Sequence, residues 1–262
     1  MTEKTRASIH FVGAGPGAVD LITVRGAETL KKAQVVVYAG SLVNPALLEY
    51  CPEAKVYDSA KMTLDEVVDV MASAYREGLE LVRLHSGDPS VYGAIREQMD
   101  ALDRLGIPYD SCPGVSACFG AAASLNLEYT VPGVAQSLII TRMAGKTATP
   151  PLEQIESFAA HGTSMAIYLS AGRLQELSER LIAGGYPPTT PTALVYKATW
   201  PDEKKFVCAL SELAEVARAN NITKTALILV GDAINPERYE KSRLYAPDFS
   251  TEFRKARSSN DS

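Results

Sequence analysis

The residues that could do chemistry sit in three glycine-bearing stretches. The first, FVGAGPGAVDLITVRGAETL (Phe11 to Leu30), opens with glycines of the kind that let a backbone approach a phosphate. Gly13, Gly15 and Ala18 satisfy the dinucleotide pattern G-x-G-x-x-[G/A]. Two further demands of that chemistry are unmet. A pyrophosphate is held by backbone N–H groups, and Pro16 has none to give. An acidic residue should close the second strand to bind a ribose, yet no Asp or Glu occurs between Lys32 and Glu49. A nicotinamide-dependent oxidoreductase is therefore disfavoured, and a tight strand-to-helix turn explains the glycines as well.

The second stretch is HSGDPSVYGA (His85 to Ala94), the third CPGVSAC (Cys112 to Cys118). Asp88 followed by Pro89 suits the N-cap and first position of a helix. Ser116 is placed to cap a helix or to touch a ligand. His85 reads either as a core histidine at a strand end or as a proton shuttle. Tyr92 is open between helix packing and ligand contact. No nucleophile and base are arranged together: His, Ser and Asp in HSGD are too close in sequence for a triad, and no G-x-S-x-G, Walker or H-E-x-x-H sequence occurs. No catalytic residue is assigned.

The elements that must position these loops alternate. Ile9 to Val12, Val35 to Tyr38, LELVRLHS and IPYDSCPG read as strands. In TLDEVVDVMASAYREG, apolar residues recur at helical spacing, Thr63 with Glu66 forms a capping box, and Gly78 suits the stop. In SVYGAIREQMDALDRLGIP, Ile95, Met99 and Leu102 make one stripe, ended by Gly106 and Pro108. Strand and helix in alternation predict a largely parallel sheet, with all three loops at its carboxyl edge, where ligands bind. The pattern breaks from Leu125 to Gln136. It then resumes with SLIITR, PLEQIESFAA, SMAIYLS, RLQELSERLIAGG, TALVYKAT, KKFVCAL, SELAEVARAN and TALILVG, with an antiparallel hairpin expected between the two adjacent strands. The expected organisation is two tandem α/β domains, 1–128 and 129–245, with a ligand in the cleft between them and a polar tail, 246–262, frayed beyond Tyr245.

Bulk composition bounds the function. Hydrophobic residues make up 46% and charged residues 22% of 262, and the net charge is −5, which argues against a nucleic-acid partner. Cys51, Cys112, Cys118 and Cys208 form no C-x-x-C pair and have no nearby histidines; they read as reduced thiols, with no metal site. The start lacks an apolar signal core and no apolar run approaches spanning length, so a soluble, cytoplasmic protein is expected.

VGAGPGAVDLITVRGAETLKKAQVVVY, HSGDPSVYGAIREQM, CPGVSA and TALILVG, in that order and spacing, resemble the tetrapyrrole methylase family from about Ile9 to Asp232. YAGSLVNPALLEYCP, GDPSVYGAIREQMDALDRLGIPY and TRMAGKTATP look most like the branch that methylates carbon 11 of a corrin precursor at the precorrin-4 stage, metal-free or as its cobalt complex. Ser86 stands where the family often has Thr, and Cys112 where Val is common. The resemblance implies transfer of a methyl group from S-adenosylmethionine, an α/β fold peculiar to these methylases, a cofactor folded up between the two domains, and a homodimer. It places cofactor contacts at Pro16, Ser86, Gly87, Asp88, Val91, Ser116, Ala117, Tyr168, Leu169, Ala198, Thr225 and Ala226. A substrate with many carboxylates also calls for cations in the cleft. Arg142 and Lys146 are the first candidates and Lys197 a weaker one, against the reading of each as a solvated surface charge. A sulfonium methyl is already activated and a corrin precursor offers electron-rich carbons, so such an enzyme needs no catalytic dyad.

Overall fold

Strand and helix alternate through the first half of the chain as the apolar periodicity demands. The computed structural model describes residues 9–145, 147–236 and 239–256. In order come β1 (Ile9–Gly13), α1 (Val24–Lys32), β2 (Val35–Tyr38), β3 (Lys55–Asp58), α2 (Leu64–Glu77), β4 (Leu81–His85), α3 (Ile95–Arg104), β5 (Tyr109–Cys112) and α4 (Ala117–Leu125). The strands form one sheet in the order β3-β2-β4-β1-β5, every pair parallel, with Gly13 opposite His85. Alternate residues face opposite sides of the pleat. Val12, Val36, Val82 and Leu84 pack with Leu30 of α1 on one face; Ile9, Phe11, Val37 and Leu81 pack with Met71 of α2 and Leu102 of α3 on the other.

Helix ends follow local chemistry. The Thr23 hydroxyl accepts from the Gly26 N–H at 3.0 Å to start α1. At α2 the expected capping box is present: Thr63 accepts from the Glu66 N–H, whose carboxylate accepts from the Thr63 N–H at 2.7 Å. Gly78, at φ 73°, closes that helix in the left-handed region. Two departures have clear causes. β3 escaped the sequence reading because Lys55-Val56-Tyr57-Asp58 is a partly exposed edge strand without an apolar run. Helix α3 starts only at Ile95, so Asp88 and Pro89 are not its cap; Tyr92 and Ala94 hold left-handed φ values of 57° and 49°, which no helix can continue through.

The second half contains β6 (Leu138–Arg142), α5 (Ile155–Ala159), β7 (Ser164–Tyr168), α6 (Leu174–Ala183), β8 (Pro191–Tyr196), β9 (Lys204–Ala209), α7 (Leu213–Ala219) and β10 (Ala226–Val230). Its sheet runs β6-β7-β10-β8-β9; β6 and β7 are parallel, while β10 is antiparallel to β7, so this sheet is mixed. Contacts divide the chain into two units. One joins Met1–Leu125 to Val195–Lys205 and Thr225–Leu227; the other holds Asn126–Leu194, Phe206–Lys224 and Ile228–Ser262. Within residues 239–256, local hydrogen bonds involve the start of the tail. The Arg254 guanidinium donates to the carbonyls of Leu244 and Ala246, both at 2.8 Å, and the Thr251 hydroxyl accepts from the Arg254 N–H at 3.0 Å. Among the described residues, no helix is long and apolar enough to cross a membrane.

Candidate active site

The three glycine loops leave β1, β4 and β5 at the same carboxyl edge and lock together through their backbones. The Ala14 N–H donates to the His85 carbonyl at 2.7 Å, and Gly15 and Gly87 exchange N–H···O bonds of 3.2 and 2.9 Å. These amides are committed to one another, so they are not available to cradle a pyrophosphate. An added Cβ at Gly13 would stand 2.5 Å from the Gly114 nitrogen and 2.6 Å from the Gly87 oxygen. Side chains are excluded there because three chain segments meet at backbone distance.

Asp88 ties two of the loops. Its carboxylate accepts from the Ser90 N–H and hydroxyl at 2.8 and 2.5 Å, and from the Gly114 N–H at 2.9 Å. Partial burial works against ionisation, but the hydrogen bonds from Ser90 and Gly114 outweigh it and hold the carboxyl below its usual range. Ser116 is buried, and its carbonyl accepts the N–H groups of Phe119 and Gly120 in the first turn of α4. A Cβ added to Gly87 would lie 3.5 Å from the Ala117 nitrogen, so Ser86, Gly87, Asp88, Ser116 and Ala117 are brought together, with half-buried Val91 following on the same loop. Pro16 is buried against the backbone of Gly120, where an added Cβ would meet the Pro16 Cβ at 2.6 Å.

Residues from the far end of the chain complete this unit. Ala198 is buried, flanked by Lys197 and Thr199, and the Lys197 N–H donates to the Thr225 carbonyl at 2.9 Å, with half-buried Ala226 next in the chain. Ten of the twelve residues implied by the resemblance thus fall in one unit, while Tyr168 and Leu169 belong to the other, at the end of β7.

Backbone strain marks the same places. Among the described residues, eight non-glycine residues have positive φ. Two, Asn126 and Asn221, are of a type that tolerates the left-handed region. The other six are Tyr92, Ala94, Leu169, Lys197, Thr199 and Thr225. Each is one of the implied contacts or lies within three residues of one. Left-handed backbone is a genuine outlier for the β-branched Thr199 and Thr225, and strain of roughly 1–3 kcal/mol per residue persists at sites whose surroundings over-determine it.

Several residues at this site escaped the sequence reading. The Thr199 hydroxyl accepts from the Ala18 N–H at 3.0 Å, and the Trp200 indole N–H donates to the Pro16 carbonyl at 3.2 Å. A Cβ on Gly17 would overlap that indole. The Asn44 amide donates to the Gly17 carbonyl at 2.9 Å, and the Glu203 carboxylate accepts from the Thr199 N–H and the Ser124 hydroxyl at 2.5 and 2.6 Å. The one available signal was a lone tryptophan in a polar turn, TWPDE.

The remaining candidates have the following surroundings. His85 is 4% exposed and stacks on Phe11 with centroids 6.0 Å apart; burial, then the charge of Arg83, push its pKa down to about 3. It is a neutral core histidine. The Arg142 guanidinium donates to the carbonyls of Thr147 and Ala148 at 3.2 and 2.8 Å, organising the loop after β6. Lys197 pairs with Asp202 at 2.6 Å and covers the faces of Tyr196 and Trp200. Lys146 lies outside the described residues. Tyr92 is 44% exposed.

A sheet of this order, with its glycine loops closed on themselves and strained turns beside them, defines a class distinct from the dinucleotide-binding fold. The chain belongs to the family of tetrapyrrole (corrin/porphyrin) methylases, which it matches over residues 8–214. It is 48% identical to the cobalt-precorrin-4 C(11)-methyltransferase of Methanocaldococcus jannaschii, covering 95% of this chain and 96% of the relative. It is 43% identical to the precorrin-4 C(11)-methyltransferase of Sinorhizobium, over 94% and 98% of the two chains. Among solved structures, a cobalt precorrin-4 methyltransferase superposes with a TM-score of 0.87 at 41% identity, covering 90% of this chain and 99% of that one. A uroporphyrin-III C-methyltransferase from Thermus thermophilus, complexed with S-adenosylhomocysteine, superposes with a TM-score of 0.74 at 27% identity, over 90% and 97%.

Proposed function

We propose that this protein is an S-adenosylmethionine-dependent methyltransferase that methylates carbon 11 of precorrin-4, metal-free or as its cobalt complex, on the route to cobalamin. The end-to-end match to relatives of that name carries the reading. When bound at these loops, the cofactor would supply an activated methyl group for transfer to a ring carbon, with S-adenosylhomocysteine as the leaving group. The residues fit such a ligand better than a dinucleotide, because the loop amides are paired with each other and Pro16 offers no donor.

The chain's own task is placement. The Gly13–Gly87–Gly114 junction and the Asp88 bonds fix three loops relative to one another, so the groups that touch the cofactor are rigid before it arrives. In-line orientation of donor and acceptor is worth roughly 7–11 kcal/mol when fully realised. The cofactor contacts are proposed at Pro16, Ser86, Gly87, Asp88, Val91, Ser116, Ala117, Tyr168, Leu169, Ala198, Thr225 and Ala226. Arg142 and Lys146 are proposed as cations for substrate carboxylates. A cytoplasmic homodimer completes the proposal.

Calorimetric titration with S-adenosylhomocysteine and with NAD tests the cofactor, and only the first should bind. Mass spectrometry of precorrin-4 incubations tests the reaction, with one added methyl expected. Binding of NAD alone, or an unmodified substrate under both metal conditions, refutes the assignment.

A further inference from the structure

Arg83 is a buried charge that the loops and their contacts do not explain. It lies in the middle of β4, is 6% exposed, and faces the side of the sheet covered by α2 and α3. Its Nε donates to the Gln98 side-chain oxygen at 3.1 Å, and its Nη1 to the carbonyls of Val37 and Leu84 at 3.2 and 3.4 Å. All three acceptors are neutral. Among the described residues no carboxylate pairs with it, and nothing accepts from Nη2. Burial lowers its pKa only to about 10, so it is cationic at neutral pH. A guanidinium removed from water without a counter-charge is costly, and such groups are rarely left unmatched.

Beside it lies a cavity of about 150 Å³, lined by Ser59, Met62, Thr63, Arg83, Glu97 and Gln98 together with apolar side chains of α2. With about 30 Å³ per water molecule, that space takes a carboxymethyl group and some water. The Ser59 hydroxyl is committed to the Tyr38 carbonyl and the Thr63 hydroxyl to Glu66, so the guanidinium is the main free donor. Exposed Glu97 lines the cavity but forms no ion pair with Arg83 among the described residues, so the charge is not neutralised in place. The location is specific. Ser59 directly follows the carboxyl end of β3, and β4 lies between β2 and β1. The cofactor loops follow β1, β4 and β5, so the cavity occupies the neighbouring half of the same sheet edge.

We infer that the Arg83 cavity receives one peripheral carboxylate of the tetrapyrrole substrate, through the fork of the guanidinium, and so helps to set which ring of the macrocycle faces the methyl donor. This rests on the proposed methyltransferase reading. Arg suits the role better than Lys because its planar fork matches a carboxylate.

Steady-state methyl transfer by the full-length protein tests it, with S-adenosylhomocysteine binding measured alongside. Arg83→Met should raise KM for the tetrapyrrole about tenfold while the Kd for S-adenosylhomocysteine stays within twofold; Arg83→Lys should recover only part of the loss. Glu97→Gln, on an exposed position, should lower KM two- to threefold by removing the repelling charge. If Arg83→Met does not fold, Glu97→Gln decides: a fall in KM supports the inference and no fall overturns it. A folded Arg83→Met protein with unchanged KM overturns it outright. A wild-type protein that binds S-adenosylhomocysteine but methylates neither form of precorrin-4 removes the parent reading instead, and this inference with it.

Discussion

Trp200 is the chain's only tryptophan, and it acts on the glycine loop in two ways. Its ring fills the space that any side chain at Gly17 would need, and its N–H holds the Pro16 carbonyl. The Lys197 ammonium lies 5.2 Å from the centre of the indole, a cation–π arrangement that helps keep the ring in place. Trp200→Phe keeps most of the packing and loses one hydrogen bond, worth about 1 kcal/mol, so S-adenosylhomocysteine should bind about fivefold more weakly. Trp200→Ala also removes the packing, and a loss of tenfold or more is expected. Titration calorimetry on both variants checks the order; equal affinities for Ala, Phe and wild type would mean that the loop needs no such support. With one tryptophan, wild-type fluorescence should also respond directly to the ligand.

Among the elements, the junction of the β1, β4 and β5 loops leaves no room for side chains. A Cβ at Gly114 would meet the Gly13 Cα at 2.7 Å and collide with the Gly87 oxygen, both backbone atoms that cannot swing aside. Gly114→Ala should therefore cost about 3 kcal/mol or more, as overpacking of a rigid site does, and should abolish cofactor binding. Thermal unfolding with and without S-adenosylhomocysteine reads both effects; a variant with native Tm and a normal ligand-induced rise contradicts the account. Gly78→Ala is the control, since an added Cβ there meets nothing within 4 Å and only its φ of 73° is strained. Glycine and capping residues were legible in the sequence because they act locally: at α2, Thr63, Glu66 and Gly78 perform their expected parts. Tyr92 and Ala94 gave no such sign. Their left-handed backbone is imposed by the surrounding fold against their own preference, which moved the start of α3 past Asp88. β3 was missed for a related reason, since an exposed edge strand needs no apolar run.

At the scale of the whole molecule, what the sequence hides is long-range pairing and long-range charge. Pro16 and Trp200 are 184 residues apart, and no local pattern announces their bond. His10 and His85, two of the three histidines, are likewise ordinary in sequence but opposite in effect. His85 is buried and neutral, and its pKa falls from 6.5 to about 3. The unfolded chain takes up a proton at His85 below pH 6.5 and the folded one does not, so this contribution to stability is present above 6.5 and is lost as pH falls towards 3. His10 bridges Glu80 at 2.9 Å and Asp110 at 2.7 Å. Burial opposes its charge, but the hydrogen bonds that the imidazolium donates to the Asp110 and Glu80 carboxylates prevail and its pKa is raised. Its contribution is complete below 6.5 and is lost as pH rises through the higher folded value; with the imidazole partly exposed and Asp110 open to water, solvent keeps the effect under about 1 kcal/mol. Stability should thus be greatest near pH 6.5 and fall on either side. Between pH 6.5 and 5, His85 alone should remove about 1.5 kcal/mol, before the hydrogen-bonded carboxylates such as Asp88 and Glu156 begin to protonate. Urea unfolding from pH 5 to 9 checks each limb separately. His85→Phe should flatten the acid limb and leave the alkaline one, and His10→Gln should do the reverse. An acid limb unchanged in His85→Phe would mean that the imidazole is hydrated or repositioned on protonation, and that the core around Phe11 admits a charge.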